Sequence, residues 1–305
     1  MYQQRRPLYL YCETPLHAGS GSDLGIVDLP IQRERATGFP KIEASSLKGA
    51  VREHFTRLST DDGKLVSRVF GPAPDSDNAN TFAGSVTFTD ARLLAMPVRS
   101  AAGVFAWITC PAVLGRWATD CQLNMTIPRV GKGHGAVLSS TEVIPHETSK
   151  IVLEEFTFEK QELSEPLSGT VELARLLFAD SPSLQDKFVN DLVILHDEDF
   201  AYFVQNATEV ITRIRVSQQS GTVEQGALWT EEYLPTESVL YSVVLTSDEF
   251  LAKDDQREGA KRTAGQNLDY LTGQLNDHPR FQLGGNATLG KGHLYTQFAN
   301  ENTVA

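Results

Sequence analysis

Residues Glu13–Phe55 read ETPLHAGSGSDLGIVDLPIQRERATGFPKIEASSLKGAVREHF. The end of this stretch carries a helix signal. In SSLKGAVREHFTRLS, Leu47, Val51, Phe55 and Leu58 recur at helical spacing, with Ser45 or Ser46 placed to cap the first turn. Lys48, Arg52 and His54 fall off that apolar stripe. Upstream, PLYLYCET alternates Leu8, Leu10 and Cys12 with Tyr9 and Tyr11, the pattern of a half-buried strand. The order is thus strand, long glycine- and charge-bearing loop (about 17–44), basic helix.

Working outward, GSVTFTDARLL and GVFAWITCP read as strands, and PAVLGRWATDCQL as a helix with Pro111 in its first turn. PSLQDKFVNDLVIL reads as a further helix. EVITRIRVS and SVLYSVVLTS read as strands, EGAKRTAGQNLDYLTGQL as a helix, and RFQLGG and HLYTQFA as strands around a glycine-rich turn at 283–292. Long connectors at 17–44, 71–82, 128–148 and 217–230 are unusual in a compact domain unless they bind something. Segment 217–230 looks like a protruding hairpin. The acidic stretch 147–199 suits a solvated face or a subunit contact. The simplest organisation is a single α+β domain over residues 1–305 with several insertions.

Composition is that of an ordinary globular protein, 41% hydrophobic and 22% charged. No apolar run approaches the roughly 20 residues that span a bilayer, which predicts no membrane partner. The opening MYQQRRPLYLYCETP is too short and too polar for a secretory signal, so a cytoplasmic location is expected. Cys12, Cys110 and Cys121 build neither a disulfide framework nor a zinc site. The net charge of −12 argues against nucleic acid, but its distribution is uneven. The first 60 residues hold eight Lys/Arg against six acids, and the rest holds 19 against 33. Phosphate affinity depends on a local footprint, so one neutral-to-basic face is enough.

Two motifs fail as nucleotide sites. GSGSDLG has Leu24 where the dinucleotide fingerprint needs glycine, and Pro30 soon blocks the required helix. GNATLGKG (Gly285–Gly292) has Gly292 where a phosphate-binding loop needs Ser or Thr, and a strand follows instead of a helix. Its small residues beside Lys291 fit a phosphodiester backbone, and equally a tight strand-to-strand turn. His17 and Asp28 place acid–base groups in the loop that carries Arg33 and Arg35, the combination a nuclease needs. No second carboxylate stands at two-metal spacing.

LHAGSGSDLGIVDLPIQRERATGFPKIEASSLKGAVRE resembles the N-terminal signature of the RAMP (repeat-associated mysterious protein) superfamily. VDLPIQRE, VRSAAGVFAWITCP, GALWTEEYLP and FQLGGNATLGKG narrow the resemblance to the repeated backbone subunits of type III-B CRISPR effectors. The likeness runs from residue 14 to residue 295. It implies a modified ferredoxin-like (RRM-type) palm with inserted loops and a protruding thumb hairpin, here about 205–237. It also implies a subunit that stacks head to tail on copies of itself with other Cmr subunits, binds a CRISPR guide RNA, and cuts complementary single-stranded target RNA once per copy. The aspartate of the VD-x-P element is credited with the cut, which carries over to Asp28. His17 lies in the same loop, and Glu231 and Tyr233 of TEEYLP are candidates to assist. A divalent metal ion, Mg2+ by preference, would sit transiently at Asp28. Expected guide contacts are Lys48 and Arg52, one turn apart on the helix, with Arg33, Arg35, Ser45, Ser46, the Gly284–Gly285 turn and Lys291. A non-catalytic scaffold, the type III-A equivalent and a guide-processing endonuclease of the same superfamily remain the alternatives.

Overall fold

The computed structural model describes residues 2–22, 25–61, 63–72, 82–145, 148–250 and 261–300. Strand β1 (Gln4–Cys12) leads through the long loop to β2 (Lys41–Ile42), then to helices α1 (Ala44–Leu58) and α2 (Lys64–Phe70). Strands β3 (Val86–Phe88), β4 (Ala91–Arg99) and β5 (Phe105–Thr109) precede α3 (Pro111–Cys121). The middle of the chain holds β6 (His134–Leu138), β7 (Lys150–Leu153), β8 (Phe156–Leu163), α4 (Ser168–Leu177), α5 (Pro182–Asn190), β9 (Leu192–Leu195) and α6 (Asp197–Asn206). A hairpin of β10 (Glu209–Val216) and β11 (Val223–Tyr233) comes next. β12 (Val239–Thr246), α7 (Ala264–Asp277), β13 (Arg280–Gln282) and β14 (His293–Phe298) close the chain.

Four strands lie in the order β14–β1–β12–β4, each antiparallel to its neighbours. α1 connects β1 towards β4, and α7 connects β12 towards β14, so each strand–helix–strand unit is split by a strand of the other. This is the ferredoxin-like palm. Beyond β4 the sheet continues through β5, β9, β6, β8 and β7, with β5–β9 and β6–β8 parallel. One contiguous core joins both regions, from Leu8 and Leu10 in β1 to Phe188, Phe200 and Phe203 in the extension.

Local readings shift where packing overrides them. In β1 the tyrosines are buried along with the leucines, because Trp117 of α3 meets Tyr9 edge-on and Phe178 meets Tyr11. Its alternation therefore marks two covered faces. α1 begins at Ala44 with Glu43 at the cap position and no side-chain cap bond, so Ser45 and Ser46 lie inside the first turn. Its first amide, Ala44 N–H, donates instead to Asp90 at 2.9 Å. PSLQDKFVNDLVIL is not one helix. It breaks at Asp191, and the buried apolar run Leu192–Leu195 becomes a strand between β5 and β6, as fully covered strands do. α7 starts later than expected, at a capping box in which Thr263 and Gln266 bond each other's backbone. Residues 258–260 of that expectation lie outside the described residues.

β10 and β11 form a two-stranded sheet of their own, and Glu231 of β11 also makes an isolated parallel bridge with Leu29 of the long loop. Their connection to the palm is short and stitched. Leu16 and Leu234 exchange two backbone hydrogen bonds of 2.9 Å, Glu237 N–H donates to Cys12 O at 2.8 Å, and Trp107 Nε1 donates to Glu237 O at 2.8 Å. Val210, Ile214, Val216, Val223 and Leu228 are exposed on the arms. No helix among the described residues is long and apolar enough to cross a membrane.

Candidate functional site

The root of the hairpin, Trp229–Tyr233, runs between the N-terminal loop and the C-terminal glycine turn. Side chains alternate across a strand, so even residues hydrogen-bond one loop and odd residues the other, with the Tyr233 ring also 5.5 Å from that of His17. Thr230 and Glu232 hold the 17–44 loop, while Glu231 and Tyr233 hold the turn that contains Asn286.

Asp28 is exposed, yet its carboxylate is fixed. Oδ2 accepts the Thr230 amide at 2.7 Å and the Thr230 hydroxyl at 2.9 Å. Leu29 N–H to Thr230 O and Glu232 N–H to Leu29 O, both 3.0 Å, tie the loop to the strand. The Thr230 amide, then its hydroxyl, hold the Asp28 carboxyl below its ordinary range. Asp28 is therefore a pre-positioned anion and a weak proton acceptor.

Glu231 and Tyr233, the residues expected to assist, face inward, 6% and 0% exposed. Tyr233 donates its hydroxyl proton to Glu231 Oε2. Asn286 Nδ2 donates to the same oxygen at 2.9 Å and to the Tyr233 hydroxyl at 2.7 Å. Arg213 reaches both through Nε and Nη2, at 3.2 and 3.0 Å, and Trp229 Nε1 donates to Glu231 Oε1 at 2.8 Å. Burial pushes the Glu231 carboxyl up, but its donors, Tyr233 foremost, leave it net below its usual value. Burial, then the bond to Glu231, raises the Tyr233 phenol. These groups form a saturated internal network.

His17 Nδ1 lies 2.7 Å from the carbonyl of Glu232. A carbonyl only accepts, so Nδ1 carries the proton and Nε2 is left as the acceptor in the neutral ring. Small residues crowd the imidazole. A Cβ at Gly19 would approach Nε2 to 2.8 Å, and one at Gly284 would lie 2.3 Å from the His17 carbonyl oxygen. Gly284 also has φ +87°, a conformation glycine alone adopts without strain. Gly285 N–H donates to His17 O at 2.9 Å. The anchors of His17 and Asp28, Glu232 and Thr230, are two residues apart, about 7 Å along the strand.

His17, Ser45, Ser46, Gly49, Gly284 and Gly285 line one open groove of about 470 Å³. Five of the residues singled out in the sequence thus meet in one place. Farther along the same groove lie His54 and Arg57, which the sequence reading did not select. Lys48 and Arg52 do not line it. The Lys48 ammonium donates to Val86 O at 3.1 Å, where burial lowers its pKa, and Arg52 donates to Pro72 O at 3.1 Å. Arg33 is committed inside the protein. It donates to Gly38 O at 2.7 Å and Val204 O at 2.9 Å, and pairs with buried Glu232 at 2.5 Å. Arg35 is exposed and has no hydrogen bond or ion pair among the described residues. Lys291 lies over the Tyr233 ring, 5.0 Å from its centroid.

Arg213, Trp229, Thr230 and Asn286 were not read from the sequence. Asn286 left a signal: an asparagine inside a glycine turn tolerates the left-handed backbone, and here φ is 63°. No cluster of three or more His, Cys, Asp or Glu among the described residues forms a metal cage. Asp28 Oδ1 accepts no hydrogen bond among the described residues, so this carboxylate would be able to hold a Mg2+ ion that kept most of its waters.

A family model described as the RAMP superfamily matches residues 9–295. The chain is 36% identical over 293 residues to the CRISPR system Cmr endoribonuclease Cmr4 of Pyrococcus furiosus, covering 93% of this chain and 92% of that protein. It is 27% identical over 321 residues to the CRISPR system CMR subunit Cmr4 of Saccharolobus solfataricus, covering 97% of both. Among solved structures, oligomeric Cmr4 from Pyrococcus furiosus aligns with a TM-score of 0.70 at 27% identity over 97% of each chain.

Proposed function

The chain belongs to the RAMP superfamily, and from that premise we propose that it is the repeated backbone subunit of a type III-B CRISPR ribonucleoprotein. In this reading it works in the cytoplasm, stacks on copies of itself beside other Cmr subunits, holds a guide RNA, and cuts the paired target RNA at Asp28. Near-complete two-way coverage of an endoribonuclease relative supports the activity, and the oligomeric relative supports stacking. The observation that carries the assignment of the cut is the exposed Asp28 carboxylate, clamped by Thr230 at the root of the hairpin.

The proposed reaction is transesterification. The target strand, wrenched open beside the hairpin, presents its own 2′-oxygen in line with the adjacent phosphorus. Such alignment accounts for on the order of 7–11 kcal/mol of barrier. The 2′-oxygen–phosphorus bond forms as the phosphorus–5′-oxygen bond breaks, the 2′-hydroxyl proton leaves to solvent or to Asp28, and the departing 5′-oxygen takes a proton from water to become a 5′-hydroxyl. Because Asp28 is a weak base, its main role is to hold negative charge where a cation is needed. A Mg2+ ion bound there would neutralise charge on the phosphate. His17 contributes its free Nε2 to the groove, where the Ser45–Ser46 turn and the Gly284–Gly285 turn receive guide phosphates. Sequence readout is left to base pairing.

The test is to assemble the effector with guide, add complementary labelled RNA and Mg2+, and identify product ends. Regularly spaced fragments ending in 2′,3′-cyclic phosphates are expected. Products with 3′-hydroxyl ends, or full cleavage of a target 2′-deoxy at the cut nucleotide, would exclude transesterification.

A further inference from the structure

Asn286 stands in the C-terminal glycine turn, far in sequence from the loop of Asp28, yet its amide ends on the strand that holds that loop. Its left-handed backbone aims one nitrogen at two acceptors, Glu231 Oε2 and the Tyr233 hydroxyl. A phenol has one proton and two acceptor positions. Here the proton goes to Glu231, and the acceptor positions take Arg213 and Asn286. Arg213 and Glu231 belong to the two arms of the hairpin, while Asn286 belongs to the palm. Asn286 is thus the side chain of the turn that ties both buried groups to the palm. One residue before Glu231, Thr230 grips Asp28 from the opposite face of the same strand.

We propose that Asn286 is a positioning residue for RNA cleavage: by fixing Glu231 and Tyr233, it sets the place of Thr230 and so the aim of the Asp28 carboxylate. The glycine turn then has a second task beside receiving phosphate. It clamps the hairpin root against the palm. Lys291 on the Tyr233 ring closes the same clamp from above, and Trp229 steadies the second oxygen of Glu231. Substrate need not touch Asn286.

This inference rests on the reading of Asp28 as the residue of the cut, and the experiment separates the two. Asn286→Gly keeps the left-handed backbone and deletes the amide. Asn286→Asp keeps the shape but turns a donor into a carboxylate facing Glu231. Each is assembled into the complete effector beside wild type, Asp28→Asn, Tyr233→Phe and the Asn286→Gly/Tyr233→Phe double variant. Single-turnover cleavage rate and target dissociation constant are measured for all. The expected result for Asn286→Gly is a rate loss of about tenfold or more, with target affinity within about twofold. Asn286→Asp should be slower still, and the double variant no slower than the worse single one. Hydrogen exchange of the Thr230 segment should rise in Asn286→Gly, which remains readable if assembly is impaired. An unchanged rate, an unchanged exchange, or rate and affinity falling together would overturn the proposal. Retained cleavage by Asp28→Asn would instead overturn the reading of Asp28, whatever Asn286 does.

Discussion

Thr230 grips Asp28 twice through one carboxylate oxygen, by its amide at 2.7 Å and its hydroxyl at 2.9 Å. Both bonds fall on Oδ2, and Oδ1 accepts none among the described residues. The relationship joins the N-terminal loop to the hairpin across 202 residues of sequence.

Removing the carboxylate should remove the chemistry and nothing else. Asp28→Ala is expected to lower single-turnover cleavage by roughly 10²–10⁴-fold, while guide retention and target affinity measured by gel shift stay unchanged. Asp28 is exposed, so its truncation opens no cavity and leaves the Thr230 amide and hydroxyl within reach of water, while the Leu29 backbone bonds still tie the loop to the strand.

The clamp itself is testable through pH. Asp28 has its pKa lowered by the Thr230 amide first and its hydroxyl second. Its ionised form therefore persists at acidities that protonate an ordinary carboxylate, and cleavage is lost only as pH falls through the lowered value. Thr230→Val deletes the hydroxyl and spares the amide. The acid limb of its rate profile should move to higher pH, towards the ordinary value of about 3.9. An acid limb that coincides with wild type would show that another group controls it.

Gly284→Ala should damage stability and the groove together. Its Cβ would lie 2.3 Å from the His17 carbonyl oxygen, and φ +87° is strained for alanine. The strain alone is about 1–3 kcal/mol, and relief requires the turn to leave His17. A lowered melting temperature with weakened guide binding is expected; a wild-type melt would mean that the turn relaxes freely.

Arg33 and Glu232 give a prediction of the opposite kind. Glu232 is 5% exposed and also accepts Ile31 N–H at 3.0 Å and the Thr208 hydroxyl at 2.7 Å. Arg33→Met leaves that carboxylate without its ion-pair partner and should destabilise the fold by about 3 kcal/mol. Adding Glu232→Gln should recover part of the loss in chemical denaturation, because the buried charge is gone. If the single variant keeps full stability but loses guide RNA, Arg33 is a phosphate contact after all.

The palm was legible because its strands and helices carry long periodic signals and its loop motif is distinctive. β6 to β9 were harder. They are four to eight residues each, two short helices part β8 from β9, and Leu192–Leu195 has no period to distinguish strand from helix. At the site, residues were visible one at a time. His17, Asp28, Ser45 and Gly284 stood out through local chemistry. The pairing that gives them meaning was hidden: the partners of Asp28 and His17 lie on β11, and no local pattern says which loop a strand will hold. The intramolecular partners of the charged residues were hidden in the same way. Arg33 and Lys48, expected as guide contacts, bond a buried carboxylate and a strand carbonyl within the chain.

The stitched link at 234–238 makes the hairpin a cantilever, built in at one end and loose at the other. Load applied at its tip is carried directly into β12, a middle strand of the palm. Changes near the tip, at Ser217–Thr222, are therefore free to diversify how the arm meets its surroundings. The same changes at Leu234 or Glu237 would tilt the whole beam, and with it the carboxylate that rides on its root.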